Sequence, residues 1–110
     1  MRYMVKGEFN DPGALLPPQQ IGELITNVVA PSLEAIGRLE SEGKILASGV
    51  YAGARCGVFI VEAASNEDVS QLLMGLPFWG LVKWEVTPLE SFEARAEQER
   101  RIAQRLQEPK

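Results

Sequence analysis

The residues on which the fold depends most are 44–62, which read KILASGVYAGARCGVFIVE. Residues 44–50 and 56–62 carry the apolar and β-branched side chains of strands, and Tyr-Ala-Gly-Ala at 51–54 is a suitable connection between them. Residues 58–61 are apolar at every position, which is typical of a strand that is buried on both faces. The segment therefore predicts a hairpin whose second strand lies inside a sheet.

A strand and a long helix are predicted before this hairpin. Residues 2–9 alternate between two sets of side chains, as a strand with two different faces does. Apolar residues then follow helical spacing from Ile21 to Val29. Pro31 removes a backbone donor and predicts a kink or break, after which helix resumes at Ser32 and ends at Gly43.

A second helix and a fourth strand are predicted after the hairpin. Ser65 is a suitable N-cap, the acidic residues that follow it favour the positive end of a helix, and Gly75 ends the helix. Residues 81–87 predict the last strand, and residues 92–107 a polar helix with a thin apolar stripe.

The order of elements predicts an α+β domain of the βαββαβ, ferredoxin-like kind, with a four-stranded antiparallel sheet and helices on one face. We expect residues 1–90 to form this domain and residues 91–110 an appended helix and tail. Since one face of the sheet has no helix to cover it, a second copy of the chain is the expected cover, which predicts a homo-oligomer.

Composition excludes several classes of function. The 110 residues carry a net charge of −4, so binding to nucleic acid is not expected. No apolar run is long enough to span a membrane, and with no signal peptide visible and Cys56 as the single cysteine we expect a cytoplasmic protein. The absence of histidine excludes imidazole bases and histidine-led metal sites, and no motif for a metal or a cofactor is visible.

Several short motifs at matching spacing resemble the muconolactone Δ-isomerase-like family over residues 43–89. They are the helix start Ser65-Asn66-Glu67-Asp68, the loop Leu76-Pro77-Phe78 and the strand end Glu85-Val86-Thr87-Pro88-Leu89. The resemblance implies a dimeric α+β barrel that can assemble into rings, with a pocket between sheet and helices. It also implies a proton shift on a lactone without a metal or a cofactor.

The family's functional residues are replaced at three places in this chain. A helix glutamate of the family falls near Ser32, its Leu-Trp-Arg segment on Ser48, Gly49 and Val50, and its Tyr-Ala-Asn segment on residues 55–57. Because valine does not replace an arginine that holds a carboxylate through two bonds, we expect a substrate other than muconolactone.

Five residues are candidates for the site. Glu8 is the candidate proton carrier, provided that its strand face looks into a pocket. Arg55 is the candidate anion-binding group on the hairpin, and Tyr51 can donate a hydrogen bond to a substrate oxygen. Trp79 and Phe78, in the apolar loop, are candidates for the pocket wall.

Three functions remain open from the sequence. The first is a cofactor-free isomerase or related proton-transfer enzyme that acts on a small organic acid or lactone. The second is a non-catalytic protein of the same fold that binds a small molecule or serves in an assembly. The third is a cofactor-independent oxygenase.

Overall fold

The computed structural model describes residues 1–10 and 16–109 and shows a four-stranded antiparallel sheet in the order β2-β3-β1-β4. The strands are β1 (Arg2–Phe9), β2 (Ile45–Val50), β3 (Cys56–Glu62) and β4 (Val82–Leu89). The apolar run at 58–61 lies in β3, a central strand as predicted. The residues Asn10-Asp11-Pro12-Gly13 predict a turn after β1, and from residue 11 on this turn lies outside the described residues.

The helices follow the predicted order. They are α1 (Pro18–Leu24), α2 (Ala30–Ser41), α3 (Asn66–Met74) and α4 (Phe92–Gln107). The α+β fold, the antiparallel sheet and the additional C-terminal helix are confirmed. None of the helices among the described residues has both the length and the apolar character needed to cross a membrane.

The chain does not stop being helical at Pro31. A π-helical turn at Ile25–Val29 joins α1 to α2, and the Ala30 N–H donates to the carbonyl oxygen of Ile25, five residues back. In a regular helix the ring of Pro31 would collide with the carbonyl of Asn27, one turn earlier. The wider turn contains Asn27, so it absorbs the proline without breaking the helix.

The helix ends are set by local chemistry that the sequence displays. Gly43 follows α2 with a φ of 80°, a conformation that glycine adopts at little cost. The Lys44 N–H donates to the Leu39 carbonyl and the Gly43 N–H to the Glu40 carbonyl, which together form a Schellman motif. At α3 the Ser65 hydroxyl accepts from the Asp68 N–H at 3.2 Å, as the predicted cap requires.

The core lies between the sheet and the helices. Alternate residues of β1, Tyr3 and Val5, are 1% and 0% exposed, and they pack with Phe59 and Val61 of β3 and with Leu73 of α3. The alternation of side chains along a strand fixes which residues face the helices and which face away from them.

No helix within residues 1–10 and 16–109 lies against the second face of the sheet. We call it the open face, and it carries Met4, Lys6, Glu8, Val58, Ile60, Lys83 and Glu85. Met4 is 38% exposed, and Lys6 forms a long ion pair of 3.9 Å with Glu85 across the strands. The open face thus combines an apolar centre with charged neighbours.

Candidate functional site

A cavity of about 380 Å³ lies between the helix-facing side of the sheet and the helical segment from the π turn through α2. Its roof includes Ile25, Val29 and Leu33, and its inner wall includes Phe59 and Phe78. The two phenylalanines are buried, whereas Leu33 is 47% exposed and forms part of an open rim.

Two glycines form part of the cavity floor on the sheet. Gly7 and Gly57 are cross-strand partners in β1 and β3, and both line the cavity. A Cβ atom on Gly7 would come within 2.8 Å of the Trp84 ring and 3.0 Å of a Val82 methyl group. The floor therefore consists of bare backbone beside the indole ring of Trp84.

The π turn shapes the roof. Ile25 and Val29, the first and last residues of the turn, both line the cavity. Such turns occur frequently at functional sites because they shift the phase of side chains along a helix. Here the turn is the local consequence of Pro31, so the sequence feature that shapes the roof is a proline that does not itself line the cavity.

The charged group among the described lining residues is Arg55, on the hairpin connection. Its backbone carbonyl accepts from the Phe9 N–H at 2.9 Å, and its guanidinium carbon lies 5.9 Å from the centre of the Phe9 ring. A guanidinium has five N–H donors in a planar fork, so it can hold a carboxylate while it makes other contacts. Arg55 therefore stays the candidate anion-binding group at the rim.

A serine and a glutamate form a second polar group at the rim. Ser48 lines the cavity, and its hydroxyl donates a hydrogen bond to the carboxylate of Glu40, near the end of α2. Glu40 is exposed. The Ser48 hydroxyl therefore connects the Glu40 carboxylate to the cavity.

A buried hydroxyl connects the roof to the inner wall. Ser32, which is 0% exposed, donates to the Val28 carbonyl at 2.8 Å and accepts from the Phe78 N–H at 3.0 Å. The Phe78 ring then meets the Trp84 ring edge to face, with centroids 6.0 Å apart and an interplanar angle of 70°. Ser32, which stands where the family resemblance places a glutamate, therefore holds Phe78 in the cavity wall.

Replacing Ser32 with alanine should lower the free energy of unfolding by about 1–3 kcal/mol, because the buried Phe78 N–H loses its acceptor. Ser41 is a matched control, since its hydroxyl donates to the carbonyl four residues back but is exposed. Ser41→Ala should change stability by less than about 0.5 kcal/mol. Urea unfolding of both variants at one protein concentration measures the difference, and equal losses would contradict the assigned role of Ser32.

The structure brings two of the five predicted site residues to the cavity. Arg55 and Phe78 line it. Glu8 is exposed on the open face, because its neighbours Gly7 and Phe9 face the cavity, and its catalytic role stays a prediction. Tyr51 and Trp79 are each 45% exposed and do not line the cavity.

Tyr51 and Trp79 have other neighbours. The Lys6 amino group lies 6.0 Å from the centre of the Tyr51 ring, at the distance limit of a cation–π contact. The backbone carbonyl of Trp79 accepts from the indole N–H of Trp84 at 3.1 Å. Trp79 therefore supports the cavity indirectly, by holding the ring that covers Gly7.

The Ser48–Glu40 pair was not predicted, and a β-bulge explains why. Ile45 pairs with Val61 and Ala47 with Ile60, so Leu46 is an extra residue in β2. If the side chains of β2 alternated strictly from the buried Ile45, Ser48 would face away from the core. The bulge reverses that phase, and Ser48 faces the cavity. Nothing in the composition of β2 marks the position of the bulge.

Within residues 1–10 and 16–109, no three histidine, cysteine, aspartate or glutamate side chains come together to form a possible metal site. Cys56, a free and half-buried thiol, lines the cavity.

Comparisons with known proteins agree with this geometry. The profile of the family described as "Muconolactone delta-isomerase" matches residues 1–95. The crystal structure of a muconolactone isomerase superposes with a TM-score of 0.67 at 25% sequence identity, covering 83% of this chain and 90% of that chain. A search of curated protein sequences gives no match.

A second solved structure shares the fold. It is the 5-chloro-2-hydroxyhydroquinone dehydrochlorinase of Burkholderia phenoliruptrix AC1100, in complex with 2,5-dihydroxybenzoquinone. Its TM-score is 0.56 at 20% identity, and the match covers 86% of this chain and 98% of that one. The family profile spans the whole sheet and the helices that enclose the cavity, and the chain therefore belongs to the muconolactone delta-isomerase family.

Proposed function

We propose that the cavity binds a small organic acid or lactone with a mainly apolar body, and that the protein catalyses an isomerase-like proton transfer on it without a metal or a cofactor. The observation that carries the proposal is the position of Arg55 at the rim of a cavity whose other described walls are largely apolar. Membership of the family supports the reaction class. The replaced family positions support a substrate other than muconolactone.

The cavity suits a ligand with one charged end. Aromatic and aliphatic side chains would contact its body, because Phe59, Phe78 and Val29 provide apolar surface. Its carboxylate would lie against the Arg55 guanidinium, where hydrogen bonds to a charged group are stronger than neutral ones. This arrangement fixes the orientation of the ligand, with the reacting carbon atoms deeper in the cavity.

Two carboxylates are candidates for the proton carrier. Glu8 is the residue that the sequence suggested, and it lies on the open face. Glu40 is supported by its hydrogen bond to the cavity-lining Ser48, which can pass a proton between the carboxylate and a ligand oxygen. We favour Glu40 because a general base must come within hydrogen-bond reach of the group it serves, directly or through one intermediate.

The binding step is tested with Arg55→Gln. A panel of small lactones and organic acids is screened by thermal shift, and dissociation constants of each hit are measured by calorimetry. The Arg55 variant should bind an acid about 10- to 100-fold more weakly, because it loses charged hydrogen bonds. Arg38→Gln on α2, exposed and outside the cavity wall, removes the same charge and should bind like the parent. Equal binding by both variants would overturn the role of Arg55.

The same screen tests catalysis. With any hit that turns over, Glu40→Gln should lower kcat by at least tenfold and leave the dissociation constant within about twofold, whereas Glu8→Gln should leave both unchanged. The reverse result would make Glu8 the proton carrier. Loss of turnover in neither variant would remove both carboxylates from the reaction.

A non-catalytic binding protein is the second candidate function. The small number of polar side chains on the described walls favours it, because few groups are placed to move a proton. Hits that bind tightly through Arg55 but give no product would support this function over the enzyme. Since Cys56 is a free thiol, we place either activity in the cytoplasm, where thiols stay reduced.

We also propose that a second copy covers the open face. Its apolar centre of Met4, Val58 and Ile60 and its mixed charges fit a self-complementary contact around a two-fold axis. This contact would bury the sheet on both sides and make the protein a homodimer or part of a larger ring.

A further inference from the structure

The C-terminal helix α4 stands apart from the rest of the molecule. None of its 16 residues is buried, and among them Gln98 alone is half-buried. The molecule measures 70 × 31 × 25 Å, which is elongated for a chain of this length. A solvated helix of this length is only marginally stable in water, so α4 needs a partner that its own domain does not provide.

One side of α4 carries an apolar stripe. Phe92 is 96% exposed, Leu106 82% and Ile102 44%, and Ala96 and Ala103 fall on the same side at helical spacing. The stripe runs the length of the helix, about 24 Å at 1.5 Å per residue. A continuous stripe of this kind is the usual surface for contact with another helix.

The charges along α4 are divided between its two halves. Residues 92–99 contain three glutamates and one arginine, whereas residues 100–107 contain three arginines and no acidic residue. If two such helices packed in parallel, the acidic half of one would lie beside the acidic half of the other, and the two basic halves would also meet. In an antiparallel pair each acidic half lies along a basic half, and the helix dipoles also oppose each other favourably.

We propose that α4 pairs antiparallel with α4 of a second copy, with the two-fold axis passing close to residue 99. In this register Phe92 of each helix lies beside Leu106 of the other, and Ala96 beside Ile102. The small alanine side chains let the two backbones approach. Glu99 is the polar position within the stripe, and Arg95 of the opposite helix is the nearby group that can balance its charge.

The contact is separate from the open face. A pair of helices 24 Å long buries less surface than the ~1,200 Å² of a stable dimer interface, so α4 pairing strengthens an assembly that has another contact. If the open face joins two copies, α4 joins these dimers further. The proposal does not depend on the proposed function, because none of its residues lines the cavity.

Charge reversal of one half of α4 tests the proposal. Glu93→Arg with Glu97→Arg makes both halves basic and should weaken self-association at least tenfold, as measured by sedimentation equilibrium of the full chain. Adding Arg101→Glu and Arg105→Glu reverses both halves and should restore it. Circular dichroism of each variant shows whether α4 remains helical. Unchanged association in the first variant, or no recovery in the second, would overturn the proposal.

Engineered cysteines test the direction and the register. In a Cys56→Ser background, Glu99→Cys should form a disulfide between copies under mild oxidation, because the two residues meet at the axis. Leu106→Cys should not, since the two cysteines would lie about 21 Å apart. Faster crosslinking at 106 would show a parallel pair. Ile60→Glu on the open face should slow crosslinking at residue 99, because it weakens the other contact of the assembly, but residue 99 should still crosslink faster than residue 106. The opposite order in this background would overturn the register.

Discussion

Replacing Phe59 with alanine should lower the free energy of unfolding by about 3–5 kcal/mol, because it empties a ring-sized volume in the centre of the core. Phe59, in the central strand β3, is 4% exposed. One side of its ring packs against the core, and the other side lines the cavity. The strand itself is paired on both sides, with β2 and with β1, so its backbone can collapse only slightly into the space. Urea unfolding at fixed protein concentration measures the loss, with an unchanged m-value.

Val58→Ala is the control for Phe59→Ala. Val58 is the preceding residue of β3, half-buried and turned to the open face. Its truncation removes two methyl groups from a partly exposed side and should cost no more than about 1.5 kcal/mol. A loss below about 1 kcal/mol for Phe59→Ala would contradict the core position of the ring.

The second large effect is expected at Gly7. Gly7→Ala should destabilise the protein by about 1–3 kcal/mol, because the new methyl group would meet the Trp84 ring at 2.8 Å and a Val82 methyl at 3.0 Å. The indole ring is fixed by its N–H bond to Trp79 and by its contact with Phe78, so it cannot move away freely. Displacement of the ring would also change the fluorescence of Trp84.

Gly49→Ala gives the opposite expectation. Gly49 lies in β2, and a Cβ atom there would meet nothing within 4 Å. The variant should be neutral or more stable by up to about 1 kcal/mol, because alanine restricts the unfolded chain. Equal destabilisation at both positions would show that the strands reject any side chain, rather than that Trp84 requires Gly7.

The fold follows from signals that are local in the sequence. Ser65, Gly43 and Gly75 each act through neighbouring backbone groups, so their roles are visible before any tertiary structure is known. The apolar run of β3 predicts a central strand for a similarly simple reason. The effect of Pro31 is harder to predict, because a π turn and a break in the helix both relieve the collision of its ring with the preceding turn. Only the packing of the whole segment decides between them.

The residues that line the cavity are harder to predict, because two of the features that place them have no signal in the neighbouring sequence. The bulge at Leu46 turns Ser48 into the cavity, and no residue type announces it. The face of β1 that meets the cavity is set by the helices that cover Tyr3 and Val5, and Glu8 lies in the opposite phase. Arg55 and Phe78 line the cavity because, in this topology, the hairpin tip and the apolar loop both lie near the helix-facing side of the sheet.

The single hydroxyl of Ser32 restricts how a guest molecule reaches the interior. It is shared between the helix above and the loop beside the cavity, so it ties these two parts of the enclosure together. The opposite border, at Val50 and Ala54, has exposed side chains and a short turn. An acid of the proposed kind that entered past this turn would meet the guanidinium of Arg55 as its first charged group.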